Sequence, residues 1–177
     1  MRRTVRIATI AALGAALLAG AGASAAAYSP AAQPATVRQA ATHHAKPSPQ
    51  AIANLFRQWN AALATGDPRK VADRYAPDAV LLPTVSNKVR TDRAGIVDYF
   101  THFLQNKPQG VIKEAHINVL DRTTAIDTGV YVFTLTQNGK QRQVEARYTF
   151  VYELRGGKWL IVNHHSSAMP EPPGATH

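Results

Sequence analysis

After Asn106 the side-chain pattern changes period, and that change limits the possible folds more than any other feature of the chain. Up to that point apolar residues recur every three or four positions. Beyond it come "GVIKEAHINVLD", "TAIDTGVYVFTLTQNGK", "RQVEARYTFVYELRGGK" and "KWLIVNHHSSA", four runs that alternate and are rich in β-branched and aromatic residues. Asn138-Gly139 and Gly156-Gly157 separate the last three runs, and both pairs suit two-residue hairpins that need positive φ. Asp121-Arg122 predicts a third turn. Four strands joined this tightly form an antiparallel meander.

The helical half comes first. Ser48 suits an N-cap and Pro49 the first helical position. Ile52, Leu55, Phe56, Trp59, Ala62 and Leu63 then form one apolar stripe. Thr65-Gly66-Asp67-Pro68 ends this helix, and Asp67 caps a short second one that carries Val71, Ala72 and Tyr75 inward. "DAVLLPTVSNKVRT" reads as a short strand and a loop. Thr91 is the expected cap of a third helix, with Ile96, Phe100, Phe103 and Leu104 on its buried face. Helices followed by a meander imply an α+β domain, its helices packed on one face of a curved sheet.

Both ends of the chain read differently. Arg2, Arg3 and Arg6 precede an apolar run from Ile7 to Gly22, and Ala23-Ser24-Ala25 or Ala25-Ala26-Ala27 supplies the small-residue spacing of a signal peptidase site. This predicts a signal peptide over 1–27. The expected location is then secreted, periplasmic or cell-envelope, with no stable membrane insertion after cleavage. Residues 28–48, rich in Ala, Pro, Thr and Gln, bury too little to order themselves and predict a disordered tether. His43-His44 lies there without a third ligand. The folded domain is expected over 49–172, with a tail at 173–177.

The chain has no cysteine, which removes disulfides, thiolate metal sites and cysteine nucleophiles. Its formal charge of +9 falls to +6 without the three leader arginines, and the remaining basic residues are scattered. A nucleic-acid surface needs a basic stripe, so none is expected. No H-E-x-x-H motif occurs, and two adjacent histidines on one strand point to opposite faces, so no metal site is expected. With no Gly-rich dinucleotide turn and no redox cysteine, no cofactor is expected.

Alternation along the last strand puts Trp159, Ile161, Asn163, His165 and Ser167 on one face, and Leu160, Val162, His164 and Ser166 on the other. In the strand before, Arg147, Thr149 and Val151 oppose Tyr148, Phe150 and Tyr152. The expectation is that Arg147, Asn163 and His165 line the concave side beneath Trp59, with Tyr99 beside them. Three convergent polar groups under aromatic rings suit a small organic ligand, an acid among the candidates. The alternative is structural: Arg147 pairs with a core carboxylate such as Asp127, and His165 bonds a backbone carbonyl. Tyr148, Phe150 and Tyr152 with Leu160 and Val162 would then form an apolar outer patch, implying a homo-oligomer through the outer sheet face.

The string "RYTFVYELRGGKWLIVNHHSSAMP" resembles the SnoaL-like cone folds of the nuclear transport factor 2 superfamily. It is most similar to the association, or hub, domain of calcium/calmodulin-dependent protein kinase type II. The hub's E-x-R strand corresponds to Glu145-Ala146-Arg147, its D-G-K-W turn to Gly156-Gly157-Lys158-Trp159, and its I-V-H-x-H-x-S-x-x-P ending to Ile161 through Pro170. Stand-alone bacterial proteins of the SgcJ/EcaC type share the R-x-T-F-V-x and H-H-S-S-x-M-P strings. The resemblance spans residues 51–170 and implies a cone-like curved antiparallel sheet wrapped around N-terminal helices. It places the hub's strand arginine on Arg147 and its second histidine on His165. Its first histidine falls on Asn163, the arginine after the second histidine on Ser166, and a helix arginine near Val97, so the hub's arginine-rich pocket is mostly missing. No Gly-rich phosphate loop or H-R-D catalytic loop accompanies it.

Two functions follow. One is a non-catalytic, ligand-binding and oligomerising domain. The other is a cofactor-independent isomerase, dehydratase or cyclase, with His165 as the base, Asp127 as its orienting partner and Arg147 stabilising an enolate.

Overall fold

The structure, a computed structural model, describes residues 45–171. The stretches expected as a signal peptide, as the tether up to residue 44 and as the tail at 173–177 lie outside the described residues. Helix α1 (Pro49–Ala64) starts where Ser48 Oγ accepts from the Ala51 amide at 3.2 Å. Helix α2 (Pro68–Ala72) is capped by Asp67, whose carboxylate accepts from the Arg69 amide at 2.9 Å. Strand β1 (Tyr75–Leu82) follows, then α3 (Arg93–Phe103) and a 3-10 turn at Leu104–Asn106. Asp92, not Thr91, caps α3: its carboxylate accepts from the Gly95 amide at 2.7 Å. The anion is the stronger acceptor at a helix N-terminus. Among the described residues no helix is long and apolar enough to cross a membrane.

Strands β2 (Gln109–Val119), β3 (Thr124–Gln137), β4 (Lys140–Arg155) and β5 (Lys158–Ala168) pair in sequence as an antiparallel meander. Asn138 and Gly139, with φ of 51° and 74°, make the β3–β4 turn; Gly156 and Gly157, at 57° and 77°, make the next. At Asp121 the carboxylate accepts from the Thr123 amide at 2.7 Å and closes the β2–β3 connection. Strand β1 then adds to the far edge, parallel to β5, giving the order β1-β5-β4-β3-β2. The fold is α+β, a curved five-stranded sheet holding the helices against its concave face.

Trp59 is the centre of the core. Its ring meets Phe100, Phe133 and Phe150 edge-on, with centroids 6.3, 6.2 and 5.4 Å away. On the same helix, the Asn60 side chain donates to the Gly110 carbonyl at 3.0 Å and accepts from its amide at 2.9 Å. This pair of hydrogen bonds ties α1 to the start of β2.

The faces of β4, and of β5 beyond Val162, are the reverse of the expected ones. Ala146, Tyr148, Phe150 and Tyr152 are buried against the helices, and Arg147 is exposed. The aromatic triplet is core, not an outer patch. Burying three aromatic rings stabilises far more than burying a guanidinium that would have to lose its water. In β5 a bulge breaks the alternation. Asn163 pairs with Val151 but Ile161 pairs with Tyr152, leaving Val162 as the extra residue. Ile161 therefore points inward, and so do His164 and Ser166 beyond the bulge.

Candidate functional site

The concave face does not fill completely. Between Trp59 of α1, Tyr99, Phe100 and Phe103 of the α3 region, and His164 and Ser166 of β5 lies a cavity of about 40 Å³. Thr84 and the exposed Val85, just after β1, lie along it. Its walls are aromatic and aliphatic, and no Lys, Arg, Asp or Glu lines it. From outside, the buried Arg90 places its guanidinium 5.7 Å from the Tyr99 ring centre and bonds Ser86 Oγ at 3.2 Å, which fixes the loop to α3.

Two hydrogen-bonded chains reach this cavity. In one, Trp59 Nε1 donates to the Tyr75 hydroxyl at 3.1 Å, and that hydroxyl lies 2.8 Å from His164 Nδ1. In the other, the Tyr131 hydroxyl donates to Ser166 Oγ, which also bonds Thr84 Oγ1. Burial pushes the Tyr131 hydroxyl up to about 12 against the opposing pull of these bonds. It raises Tyr75 and Tyr99 above the ordinary phenol range as well. All of these groups are neutral at physiological pH.

His164 is the exceptional member. Its side chain is buried, its ring stacks on Phe150 with centroids 4.0 Å apart, and its Nε2 has no hydrogen-bond partner. Burial, reinforced by the neighbouring His165, pushes its pKa down from 6.5 to about 3. Below pH 6.5 the unfolded chain takes up a proton that the folded ring refuses. Folding therefore loses about 1.4 kcal/mol per pH unit on acidification until the folded value is reached. Asp127, raised by burial, acts in the opposite sense, removing stability as pH rises through its folded pKa. Comparison with His164→Gln isolates the histidine. Between pH 7 and pH 5, urea unfolding of the native chain is expected to lose about 2 kcal/mol more than the variant.

The structure places the other expected site residues as follows. Trp59 and Tyr99 line the cavity. Arg147 and His165 do not: both are exposed on the outer face, beside His116 in a shallow groove. Asn163, next to His164 in the chain and half-buried, faces outward opposite Val151. Asp127 is buried on the concave side, accepting from the Tyr148 hydroxyl at 2.9 Å. It therefore reaches neither Arg147 nor His165, which lie on the other side of the sheet. Among the described residues no group of three or more His, Asp or Glu could hold a metal ion. His164, Ser166, Tyr131, Tyr75 and Thr84 were not expected in the site. The available signal was the weight of Tyr148, Phe150 and Tyr152, which decides the inner face of β4 and, through pairing, that of β5.

The model of the calcium/calmodulin-dependent protein kinase II association domain matches residues 48–170. The chain belongs to this family. A structure from Xanthomonas campestris assigned to the same association domain is 65% identical, covers 68% of this chain and 87% of its own, and has a TM-score of 0.68. The hub homology domain of Chlamydomonas reinhardtii is 17% identical over 70% of this chain and 98% of its own, with a TM-score of 0.56. A protein from Novosphingobium aromaticivorans named as a scytalone dehydratase is 13% identical over 72% and 94%, with a TM-score of 0.60. The last two are likenesses of fold alone. No curated protein matches the chain.

Proposed function

We propose that this protein is an exported, self-associating domain that binds a small organic molecule in the hollow of its sheet and transfers no phosphoryl group. The observation that carries the ligand reading is the cavity itself, apolar and aromatic, with a buried imidazole nitrogen left without a partner. Apolar hollows lined by aromatic side chains with a few polar groups are the usual form of a small-ligand site. Self-association is supported by membership of an association-domain family and by a hub homology domain with the same fold. The outer face, carrying Arg147, Thr149, Val130 and His165, is the surface proposed for it. Export rests on the leader at residues 1–27.

The acid–base alternative needs a base and an orienting carboxylate within reach of each other. The expected pair, His165 and Asp127, is divided by the sheet. The buried histidine, His164, is separated from Asp127 by Phe150, which pairs with both. Light scattering on the full chain at micromolar concentration tests the self-association. A dimer or larger species is the expected result, and a monomer at every concentration would remove it.

A further inference from the structure

A second hollow shares no lining residue with the Trp59 cavity. It is an open groove of about 400 Å³ between α1 and β2, with Ala53, Phe56 and Arg57 on the helix side and Ile112 and Ala115 on the strand side. Small residues leave room for it. Gly129 of β3 has no side chain, and Ala115 opposite it has only a methyl group.

Asp127 of β3 also lines this groove, and its environment is unusual for a carboxylate. The residue is 1% exposed. Its Oδ1 accepts from the Tyr148 hydroxyl at 2.9 Å. Its Oδ2 has no hydrogen-bond partner among the described residues, yet unlike His164 Nε2 it is not closed to solvent. A buried carboxylate needs a cation or several donors to hold its charge. One neutral hydroxyl is a poor substitute, and burial lifts the carboxyl above its ordinary pKa.

The groove's own polar groups do not meet that need. The Asn60 side chain, also on its wall, is committed to both backbone groups of Gly110. Arg57 is exposed and forms no ion pair or hydrogen bond among the described residues.

We propose that this groove is a second binding site, for a small primary amine that also carries an acid group, the ammonium on Asp127 Oδ2 and the acid toward Arg57. An ammonium head is about the size of a water molecule, so it fits an opening that water can touch. A planar guanidinium is broader and suits that opening less well. A bare metal ion would lack ligands, since among the described residues no group of three or more His, Asp or Glu could hold one. A simple amine would meet the like charge of Arg57 along the groove, and an acid group on the same molecule turns that repulsion into attraction. Phe56 and Ile112 supply apolar contact for the frame between the two ends.

Three probes on one benzyl frame test this by NMR titration of the full chain: benzyl alcohol, benzylamine and 4-(aminomethyl)benzoate. Benzylamine is expected to bind at least about tenfold more tightly than benzyl alcohol, because a charge-assisted bond replaces a neutral one. The acid group is expected to add about a further threefold, the strength of an exposed ion pair. Shifts should centre on Ala53 and Ala115 and leave the residues around Trp59 unmoved. Asp127→Asn, which keeps an oxygen for the Tyr148 hydroxyl, should bring both amines down to the level of benzyl alcohol. Should that variant fail to fold, Arg57→Gln, at an exposed position, should abolish the difference between the two amines and leave benzyl alcohol unchanged. Equal binding of benzylamine and benzyl alcohol to the native chain would overturn the site, and so would amine binding undiminished in Asp127→Asn or shifts confined to the Trp59 cavity. Equal binding of the two amines would overturn the part given to Arg57.

Discussion

Trp59→Ala is expected to lower the free energy of unfolding by about 4 kcal/mol. The side chain is 2% exposed and packs simultaneously on Phe100, Phe133, Phe150 and His164. Removing it leaves a hole at the centre of the core and takes the donor away from the buried Tyr75 hydroxyl. A loss of that size is a large share of the 5–15 kcal/mol typical of a domain and would lower the thermal midpoint by roughly 15 °C. Arg147→Ala, at a residue once expected to line the cavity, should change stability by less than about 0.5 kcal/mol, because its side chain is exposed on the outer face. Thermal and urea unfolding of the two variants side by side separate the inner from the outer face of the sheet. Equal effects would contradict the assignment of faces.

Gly129→Ala is expected to cost about 3 kcal/mol, a large effect for a single methyl group. Gly129 is opposite Ala115, just past the point where β2 slips its register between Ile112 and Glu114. A Cβ at 129 would sit 2.0 Å from the Glu114 carbonyl oxygen and 2.7 Å from its carbon. Both are backbone atoms of the neighbouring strand, so no side chain can swing aside and the bulge itself must shift. Gly66 provides the contrast. Its φ is 69° but nothing lies within 4 Å of an added Cβ, so Gly66→Ala carries only the backbone cost of about 1 kcal/mol. Urea denaturation of both variants checks the ranking. A smaller loss at 129 than at 66 would mean that β2 does not hug β3 through the bulge.

The helices, their order and the meander were legible because each depends on local chemistry. Ser48 and Asp67 cap helices, Asn138-Gly139 and Gly156-Gly157 turn the chain, and the α1 stripe from Ile52 to Leu63 is helical in period. Two features depend on distant contacts and were not legible. Strand β1 reads as a short apolar run, and nothing near it shows that it will pair in parallel with β5, some eighty residues later. Within β5 the candidate site failed on a single residue. Val162 is the surplus member of a bulge, and counting in twos through it places His165 inside and His164 outside. The family resemblance led to the same positions, since it aligns residues along the chain and does not report which way they point. The error was correctable from β4. Tyr148, Phe150 and Tyr152 are too apolar to be left outside while Arg147 goes in, and β5 must follow the face that β4 chooses.

The assignment of His164 to the interior, neutral and joined through Nδ1 to the Tyr75 hydroxyl, is the claim on which the reversed faces of the sheet and the pH dependence both depend. Nitrogen-15 NMR of the imidazole rings at pH 7 and pH 5 tests it most directly, with His164→Gln identifying the resonances. The prediction is one ring that remains uncharged at pH 5. A His164 ring that is protonated at pH 5 would contradict the account.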